Sequence, residues 1–415
     1  MRLLCLILFF ILPLFSFSAG EVVVEIEKTW YLFTDQTITD VTLNGTFLVE
    51  NEHQEILQIN LTDDGAEFEN SNGTIRVIFN DEEFTGGKII TATALVRSAY
   101  PLAIQFNAPF EPQEVASTGL VSYDDTISSA ARSISAEKET ELEVVAALAD
   151  WTHEYINYDI SFWGDPASAT SVFQNPRGVC VGYSHLFISM LRSLGFETRF
   201  VSGYAFAEDW QPHAWAEVRV GGNWVPVDPT FREVGALDAR HIVTSYSYDQ
   251  SGVYDILVAR GEGFTFNSTV SVKTSEKQSF EEVLFIHSVL YGDDMKVVVY
   301  NPTDQYVTPT YELSMPEFIL PKDIRIVTIP PQESKTFTYH LSTGDLESGF
   351  SHNIPYQISV QGTTLTGEHT IVKGTLSNGE PEEEYQPPQD ESEPCPLITF
   401  SLMFIFAALF SWSRN

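Results

Sequence analysis

The sequence predicts an α+β fold in which a unit of mixed helices and strands lies between two β-sandwich domains. Residues near both ends of the chain alternate between apolar and polar side chains, as strands that bury one face do. In the middle of the chain, apolar residues recur at helical spacing before strand patterns return. The chain has 415 residues, 43% of them hydrophobic, which is enough for several packed domains.

The first β-sandwich domain is predicted over residues 19–107, which are rich in Val, Ile, Thr and Phe. Candidate strands lie at 21–26, 41–49, 75–79 and 89–96. Turn-forming pairs stand at Asn44-Gly45, Asn72-Gly73 and Gly86-Gly87.

The α+β unit is predicted over residues 108–262. Ala147, Leu148 and Trp151 share one face of a helix expected over 142–156. A second helix is expected over 180–194, and Gly195 ends it. Strands are predicted to follow at 198–206, 214–220 and 224–227.

The alternating pattern returns over residues 263–376, which predicts the second β-sandwich domain. Its candidate strands lie at 269–272, 283–288, 295–300, 324–329, 336–341 and 356–360. Residues 377–395 are rich in acidic residues and proline. This composition cannot bury a core, and it predicts an extended stalk.

Both ends of the chain are apolar. Residues 1–18 combine Arg2, an apolar run and small residues, the pattern of a cleaved secretory signal. Residues 396–412 form a second apolar run, which we interpret either as a membrane anchor or as a sorting helix. The sequence therefore predicts an extracytoplasmic protein held at the cell surface by one membrane-spanning segment.

The charge balance excludes one class of partner. The chain has 57 Asp and Glu residues against 22 Lys and Arg residues, a formal net charge of −35. Such a surface repels phosphate backbones, so we expect no nucleic-acid partner. The 9 His residues have no metal-ligand spacing, and we expect neither a metal nor another cofactor.

Cysteine usage singles out Cys180. Of the 3 cysteines, Cys5 lies in the predicted signal and Cys395 borders the terminal apolar run. Cys180 therefore has no partner for a disulfide within the predicted ectodomain. It opens the predicted central helix, where the partial positive charge of the helix N-terminus favours a thiolate. The alternative is a buried structural cysteine.

His213 and Asp228 are candidates to act with Cys180. Residues 214–220 and 224–228 resemble two strands joined at Gly221-Gly222. With a two-residue loop, Trp215 faces Asp228, and His213 lies on the same face, ~7–8 Å away diagonally. A three-residue loop would place the two side chains on opposite faces. A cysteine nucleophile is activated by a histidine that acts as general base, and a carboxylate orients that histidine.

Several ordered blocks, together covering roughly residues 120–245, resemble the core of the transglutaminase-like superfamily. These blocks are Gly178-Val179-Cys180, Asp150 through Asp159, Leu191 through Phe196, Arg199 through Tyr204, His213-Ala214-Trp215-Ala216-Glu217 and Trp224 through Thr230. The resemblance implies a papain-like α+β core, with Cys180, His213 and Asp228 at the three catalytic positions of the family.

The resemblance also implies substrates and substrate-binding residues. Members of this superfamily crosslink, deamidate or cleave proteins through a thioester, so a peptide or protein at the cell surface is the expected substrate. Hydrolysis is slightly favoured, because small microbial members lack the accessory domains of the animal enzymes. Trp163 and Trp215 are candidate substrate-binding residues, and Trp163 and Trp151 are candidates to stabilise the oxyanion. The alternative is a catalytically silent adhesion or scaffold protein on the same fold, of undetermined oligomeric state.

Overall fold

A computed structural model describes residues 18–373 except 64, 102, 113–116, 165–166, 278–283, 292 and 361–362. The chain divides into two units, Met1–Leu346 with Ser351–Ile371 and Glu347–Phe350 with Val372–Asn415. In the second unit only 347–350 and 372–373 are described, so the account below concerns the first. Elements are numbered in chain order.

The N-terminal region forms one six-stranded sheet in the order β12-β1-β4-β2, with β13 also on β1 and β3 also on β4. Its strands are β1 (Ser18–Val49), β2 (Gln54–Leu61), β3 (Ala66–Ser71), β4 (Thr74–Pro101), β12 (Ile256–Arg260) and β13 (Phe264–Lys277). The predicted strands at 21–26 and 41–49 are thus parts of one long strand, as are those at 75–79 and 89–96.

The two long strands β1 and β4 pair with different neighbours along their lengths. Residues 22–34 of β1 pair with β13, whereas residues 39–44 pair with β12. Irregular register between Thr34 and Ile38 lies where the sheet changes neighbours. Trp30, Phe47 and Val96 belong to one apolar core, so both lengths of the sheet contribute to the same interior.

Two turn predictions in this region were wrong. Asn44-Gly45 lies inside β1, where a side chain at residue 45 would come within 2.7 Å of the Trp30 ring. Gly86-Gly87 lies inside β4. Asn72-Gly73, by contrast, joins β3 to β4 as predicted.

The helices of the central unit are α1 (Asp125–Ser135), α2 (Glu141–Tyr155), α3 (Ala169–Gln174) and α4 (Cys180–Ser193). Thr140 and Glu143 form a capping box at the start of α2. Nearly every residue of α4 is buried, as expected of a helix enclosed on all sides. Gly195 follows it at φ 96°, a left-handed conformation that ends a helix without steric cost.

A five-stranded sheet supports α4, in the order β10-β9-β8-β7-β11. Its strands are β7 (Thr198–Phe206), β8 (Trp210–Val220), β9 (Asn223–Asp228), β10 (Glu233–Val234) and β11 (His241–Ser247). Phe200, Ala216 and Val218 pack on the helices. Val201, Trp215 and Val243 belong instead to a cluster with Val49 and Tyr100 of the N-terminal sheet. Because successive side chains of a strand point to opposite faces, this sheet buries one face against the helices and the other against the N-terminal sheet. The short strands β5 (Asn157–Tyr158) and β6 (Arg177–Gly178) pair in parallel just before α4.

The C-terminal region contains a three-stranded sheet, β14-β15-β18, and a four-stranded sheet, β17-β16-β19-β20. Their strands are β14 (Phe285–Tyr291), β15 (Asp294–Tyr300), β16 (Thr310–Ser314), β17 (Asp323–Ile326), β18 (Ser334–His340), β19 (Ser351–Val360) and β20 (Thr363–Val372). The sheets share one apolar core, in which the rings of Tyr311 and Phe337 stack at 4.3 Å between centroids.

The predicted domain limits stay predictions, but one segment pairs elsewhere than expected. Strand β13 falls within the range assigned to the second sandwich, 263–376, yet it pairs with β1 along most of its length. Strand β12, within the range 108–262, also pairs with β1. The chain therefore returns to the N-terminal sheet after it leaves the central unit.

The predictions for the ends of the chain lie outside the described residues. These are the signal over 1–18, of which only Ser18 is described, the stalk over 377–395 and the apolar segment over 396–412. Among the residues that the structure describes, no helix has the length and apolar character needed to span a membrane.

Candidate active site

Helix α4 places Cys180 at its first position. Tyr158 and Gly178 pair in the short parallel ladder and fix the approach to the helix. Val179 is the N-cap residue and contributes no side-chain cap, so the first N–H groups of α4 depend on other partners. Cys180 is 3% exposed. The thiol thus lies at the positive end of a buried helix, as the sequence predicted.

The β8–β9 hairpin places His213 and Asp228. Val220 pairs with Asn223, so the loop is the two-residue Gly221-Gly222 with φ of 55° and 83°. Ala216 pairs with Val227, which sets Trp215 opposite Asp228. His213 Nε2 lies 2.6 Å from Asp228 Oδ2. The diagonal geometry expected for a two-residue loop is therefore present.

The Asp228 carboxylate is completely buried and has partners on both oxygens. Oδ1 accepts the backbone N–H groups of Thr230 at 2.7 Å and Phe231 at 3.1 Å, a turn that the sequence Asp-Pro-Thr-Phe forms locally. Oδ2 accepts from His213 and from a second histidine, His241, at 3.1 Å. Burial opposes ionisation, but the two histidines hold the pKa of Asp228 well below its usual value.

His213 is the group between the thiol and the carboxylate. Burial lowers its pKa, but the charge and hydrogen bond of Asp228, with smaller contributions from Cys180, raise the pKa of His213 to about 10. The Cys180 thiol and the His213 imidazole line one cavity. Because Nε2 faces Asp228, the other ring nitrogen, Nδ1, is the one available to the thiol.

His241 was not found by the sequence analysis. It begins β11 and is 1% exposed, with Nδ1 2.9 Å from the carbonyl oxygen of Asp238. It comes near Asp228 because β11 pairs with one edge of β7, and the other edge of β7 pairs with β8, the strand that carries His213. No local pattern around residue 241 indicates this contact, since it depends on strand order.

His213, Asp228 and His241 are also the described residues whose ligand atoms could hold a metal, since these atoms lie within 4.8 Å of one another. The nitrogen–oxygen distances of 2.6 Å and 3.1 Å are those of hydrogen bonds. Each of these ligand atoms thus already has a protein partner, and we interpret the cluster as a hydrogen-bond network.

A cavity of about 300 Å³ opens at Cys180. Its lining includes His213, Trp163, Tyr254 and Gln250. Trp163 and Tyr254 are 51% and 55% exposed, so aromatic rings border the mouth. Such a rim suits an uncharged or aromatic substrate segment next to the reacting bond.

The three tryptophans considered from the sequence occupy different surroundings. Trp163 lines the cavity. Trp215 is completely buried, stacks on His213 at 6.0 Å between centroids and has no surface to offer a substrate. Trp151 stacks on Tyr155 and lines a separate groove beside β17, away from Cys180. Trp163 is therefore the candidate whose position suits contact with substrate or oxyanion.

Together these side chains can perform acyl transfer. A thiol beside an imidazole, itself hydrogen-bonded to a buried carboxylate, can lose its proton and attack a carbonyl carbon. The cavity gives a substrate access to the sulfur. Such an arrangement is typical of proteins in which a histidine and an aspartate support a cysteine nucleophile.

Comparison with known proteins shows what part of this unit is similar to. Residues 128–229 match the family model described as the transglutaminase-like superfamily. The chain therefore contains a transglutaminase-like core domain, and the resemblance stated from the sequence is confirmed. The match includes Cys180, His213 and Asp228, whereas His241 lies beyond it.

Relatives and solved structures add context. An uncharacterised protein of Mycobacterium leprae is 32% identical over 97 residues, which are 21% of this chain and 34% of that protein. The match thus spans about a third of the length of this curated relative. A candidate cysteine protease from Cytophaga hutchinsonii is 20% identical, with a TM-score of 0.47 over 64% of this chain and 94% of that one. Red sea bream transglutaminase is 9% identical, with a TM-score of 0.24 over 84% of this chain and 78% of its own.

Proposed function

We propose that this protein is a thiol enzyme that acts on peptide or protein amide bonds through Cys180, His213 and Asp228. The observation that carries the proposal is a cavity lined by both Cys180 and His213, in which His213 Nε2 lies 2.6 Å from the buried Asp228 carboxylate. Location at the cell surface is part of the proposal and rests on the apolar ends of the sequence.

The proposed reaction begins from an ion pair in which the Cys180 proton already lies on His213. The sulfur attacks the carboxamide carbon, and the carbonyl oxygen becomes an oxyanion. The backbone N–H of Cys180 at the start of α4 is one candidate donor to this oxyanion, and the Trp163 indole is another. As the carbon–nitrogen bond breaks, His213 returns the proton to the leaving amine, and a thioester on Cys180 remains.

The second half of the reaction decides the product. Water attacks the thioester carbon, His213 takes its proton, and the carbon–sulfur bond breaks to give an acid and the free thiol. An amine in place of water gives a new amide. We favour hydrolysis, since it requires no second substrate, and the same residues serve either route.

The first test is alkylation of Cys180 by iodoacetamide across pH in wild type and His213→Ala. We expect wild type to react faster than free cysteine at neutral pH and the variant to react more slowly than wild type. Mass spectrometry identifies the alkylated residue. Slow alkylation in both proteins would contradict the proposed enzyme activity and favour the alternative of a surface adhesion or scaffold protein.

A second experiment separates the possible products. Glutamine-containing peptides are incubated with the protein, with and without a primary amine, and product masses are measured. Cleavage, deamidation and amine incorporation each give a different mass. Cys180→Ser is the control, and a product that persists in this variant would exclude the proposed thioester.

A further inference from the structure

His241 forms two hydrogen bonds that constrain its protonation state. Its Nδ1 lies 2.9 Å from the backbone carbonyl oxygen of Asp238, which can only accept, so Nδ1 carries a proton. Its Nε2 lies 3.1 Å from Oδ2 of Asp228. The Asp228 carboxylate is ionised and also only accepts, so Nε2 carries a proton as well. Both ring nitrogens of His241 therefore donate, and the ring is a cation.

Oδ2 of Asp228 accepts from two histidines at once, His213 at 2.6 Å and His241 at 3.1 Å. The ring centroids of the two histidines are 5.9 Å apart. During the proposed reaction His213 alternates between imidazolium and imidazole. The bonds of His241 do not change in that cycle, because its acceptors stay the same.

We propose that His241 is a permanently protonated positioning residue, which fixes the Asp228 carboxylate and makes His213 release its proton more readily. This inference rests on the proposed function. Asp228 alone would bind the His213 proton tightly, which favours thiolate formation but hinders return of the proton to the leaving amine. A second cation on the same oxygen opposes that tight binding.

The groups around His241 come from several elements. Glu233 of β10 attracts the imidazolium, and burial raises the pKa of Glu233 to about 7. The Asp238 carboxylate, before β11, pairs with Arg240. The Tyr100 ring of β4 lies 6.3 Å from the His241 ring between centroids, edge to face. Burial and the charge of His213 lower the pKa of His241, but the hydrogen bond and charge of Asp228 and the charge of Glu233 outweigh them, so the pKa of His241 is raised.

The test compares iodoacetamide alkylation of wild type and His241→Gln between pH 4 and 11.5. Glutamine keeps a neutral N–H for Asp228 but removes the cation. A plot of alkylation rate against pH for a thiol–imidazole pair rises in two steps. The first step occurs at the pH where the ion pair forms, and the second at the pH where the imidazolium loses its proton. We expect both steps to move up by about one pH unit in the variant, since a nearby positive charge has been lost.

His185→Gln is the matched control, because His185 is equally buried but bonds to Ala167 and Gln250 rather than to Asp228. The two steps in the alkylation rate of His185→Gln should occur at the same pH as in wild type. If His241→Gln folds and its two steps occur at the same pH as in wild type or at a lower pH, the inference is overturned. Slow alkylation of wild type itself would instead overturn the proposed function.

Nitrogen-15 NMR of the histidine-labelled wild-type protein provides a test that needs no stable variant. Both ring nitrogens of His241 should carry protons from pH 6 to 9, with shifts typical of an imidazolium. A neutral His241 ring at pH 7 would overturn the inference, even if Cys180 proved reactive.

Discussion

At the residue scale, the two oxygens of Asp228 have different tasks. Oδ1 is held by backbone N–H groups of the turn that follows β9, so the carboxylate cannot rotate freely. Oδ2 is thereby directed at His213 and His241. The turn that fixes the orientation is local in sequence, whereas both imidazoles come from other strands.

Replacement of Asp228 by Asn tests the charge of this group. The amide keeps the size of the side chain but leaves both imidazoles without a counter-charge, so we expect kcat/KM on a peptide substrate to fall by roughly 10²–10⁴-fold. Asp238→Asn is the matched control, since its backbone carbonyl, and not its side chain, binds His241. Turnover of Asp228→Asn within tenfold of wild type would contradict the role of the carboxylate.

The raised pKa of His213 also predicts how stability depends on pH. The folded protein binds the His213 proton until about pH 10, whereas an unfolded histidine loses it near pH 6.5. This contribution to stability is therefore full below pH 6.5 and is lost as pH rises towards 10, at up to about 1.4 kcal/mol per pH unit. Urea unfolding of Cys180→Ala at pH 6.5, 7.75 and 9 measures it, because this variant lacks the thiol with which His213 exchanges its proton.

The double variant Cys180→Ala/His213→Gln is the control for this pH series, because it removes the His213 proton. Its dependence should be shallower, and His241, which stays protonated in the folded protein, accounts for the remainder. The depressed pKa of Asp228 acts in the opposite range, and its contribution is lost only in acid. Equal slopes for Cys180→Ala and the double variant between pH 6.5 and 9 would show that His213 is not protonated in the folded protein.

At the scale of elements, β7 is the strand that brings His213 and His241 together. Gly203 of β7 pairs with His213 on one side and with Val243 on the other. A side-chain carbon on Gly203 would lie 2.0 Å from the carbonyl oxygen of Ile242 and 2.8 Å from the Trp215 ring. The absence of a side chain thus lets β11 approach closely enough for His241 to reach Asp228.

Gly203→Ala should therefore damage both stability and the site. We expect a loss of about 1–3 kcal/mol in the free energy of unfolding, because backbone must move to admit the methyl group. Alkylation of Cys180 should also slow, since the displaced strand carries His241 away from Asp228. Circular dichroism with urea measures the first effect, and iodoacetamide labelling measures the second.

Gly344→Ala is the control for the added methyl group, because nothing lies within 4 Å of the position that its side-chain carbon would occupy. It should match wild type in both measurements. If Gly203→Ala also matched wild type, the close approach of β7 and β11 would not be needed for the site.

At the scale of the whole described unit, Arg232 links the central unit to the C-terminal sheets. It is 5% exposed, bonds Asp150 at 2.6 Å and Glu154 at 2.7 Å, and donates to the carbonyl oxygen of Ile324 at 2.8 Å. Thr310 donates to the backbone carbonyl of Arg232. One guanidinium thus joins α2 and β17, close to the turn that holds Asp228.

Arg232→Met should cost roughly 3 kcal/mol of unfolding free energy, because it breaks a buried ion pair. Much of the cost comes from Asp150 and the Ile324 carbonyl, since Glu154 is 64% exposed and can be solvated by water. Urea denaturation gives the value. Arg325→Met is the control, since its pair with Asp323 is more exposed and should cost less than about 1 kcal/mol. Equal costs in the two variants would contradict the linking role of Arg232.

The sequence predicted elements whose signals are local. Helix α4 begins at Cys180 as expected and ends one residue before the predicted end, because Gly195 supplies the left-handed residue there. Strand β7 has its predicted limits, and β8 begins earlier, at Trp210. The sequence left open a two-residue and a three-residue loop, and the structure has the two-residue loop for which the contact between His213 and Asp228 was expected. The elements that were missed include strands β11, β12, β16 and β20 and helix α3.

By itself, the sequence determined the helix that presents Cys180, the hairpin that joins His213 to Asp228 and the resemblance to the transglutaminase-like core, because each depends on residues close together in the chain. Tertiary structure alone decided that β12 and β13 return to β1, that Trp215 is buried behind His213, and that His241 shares Asp228. The physical reason is that strand pairing and burial depend on which distant segments meet, and a polar or apolar pattern specifies a face without specifying its partner.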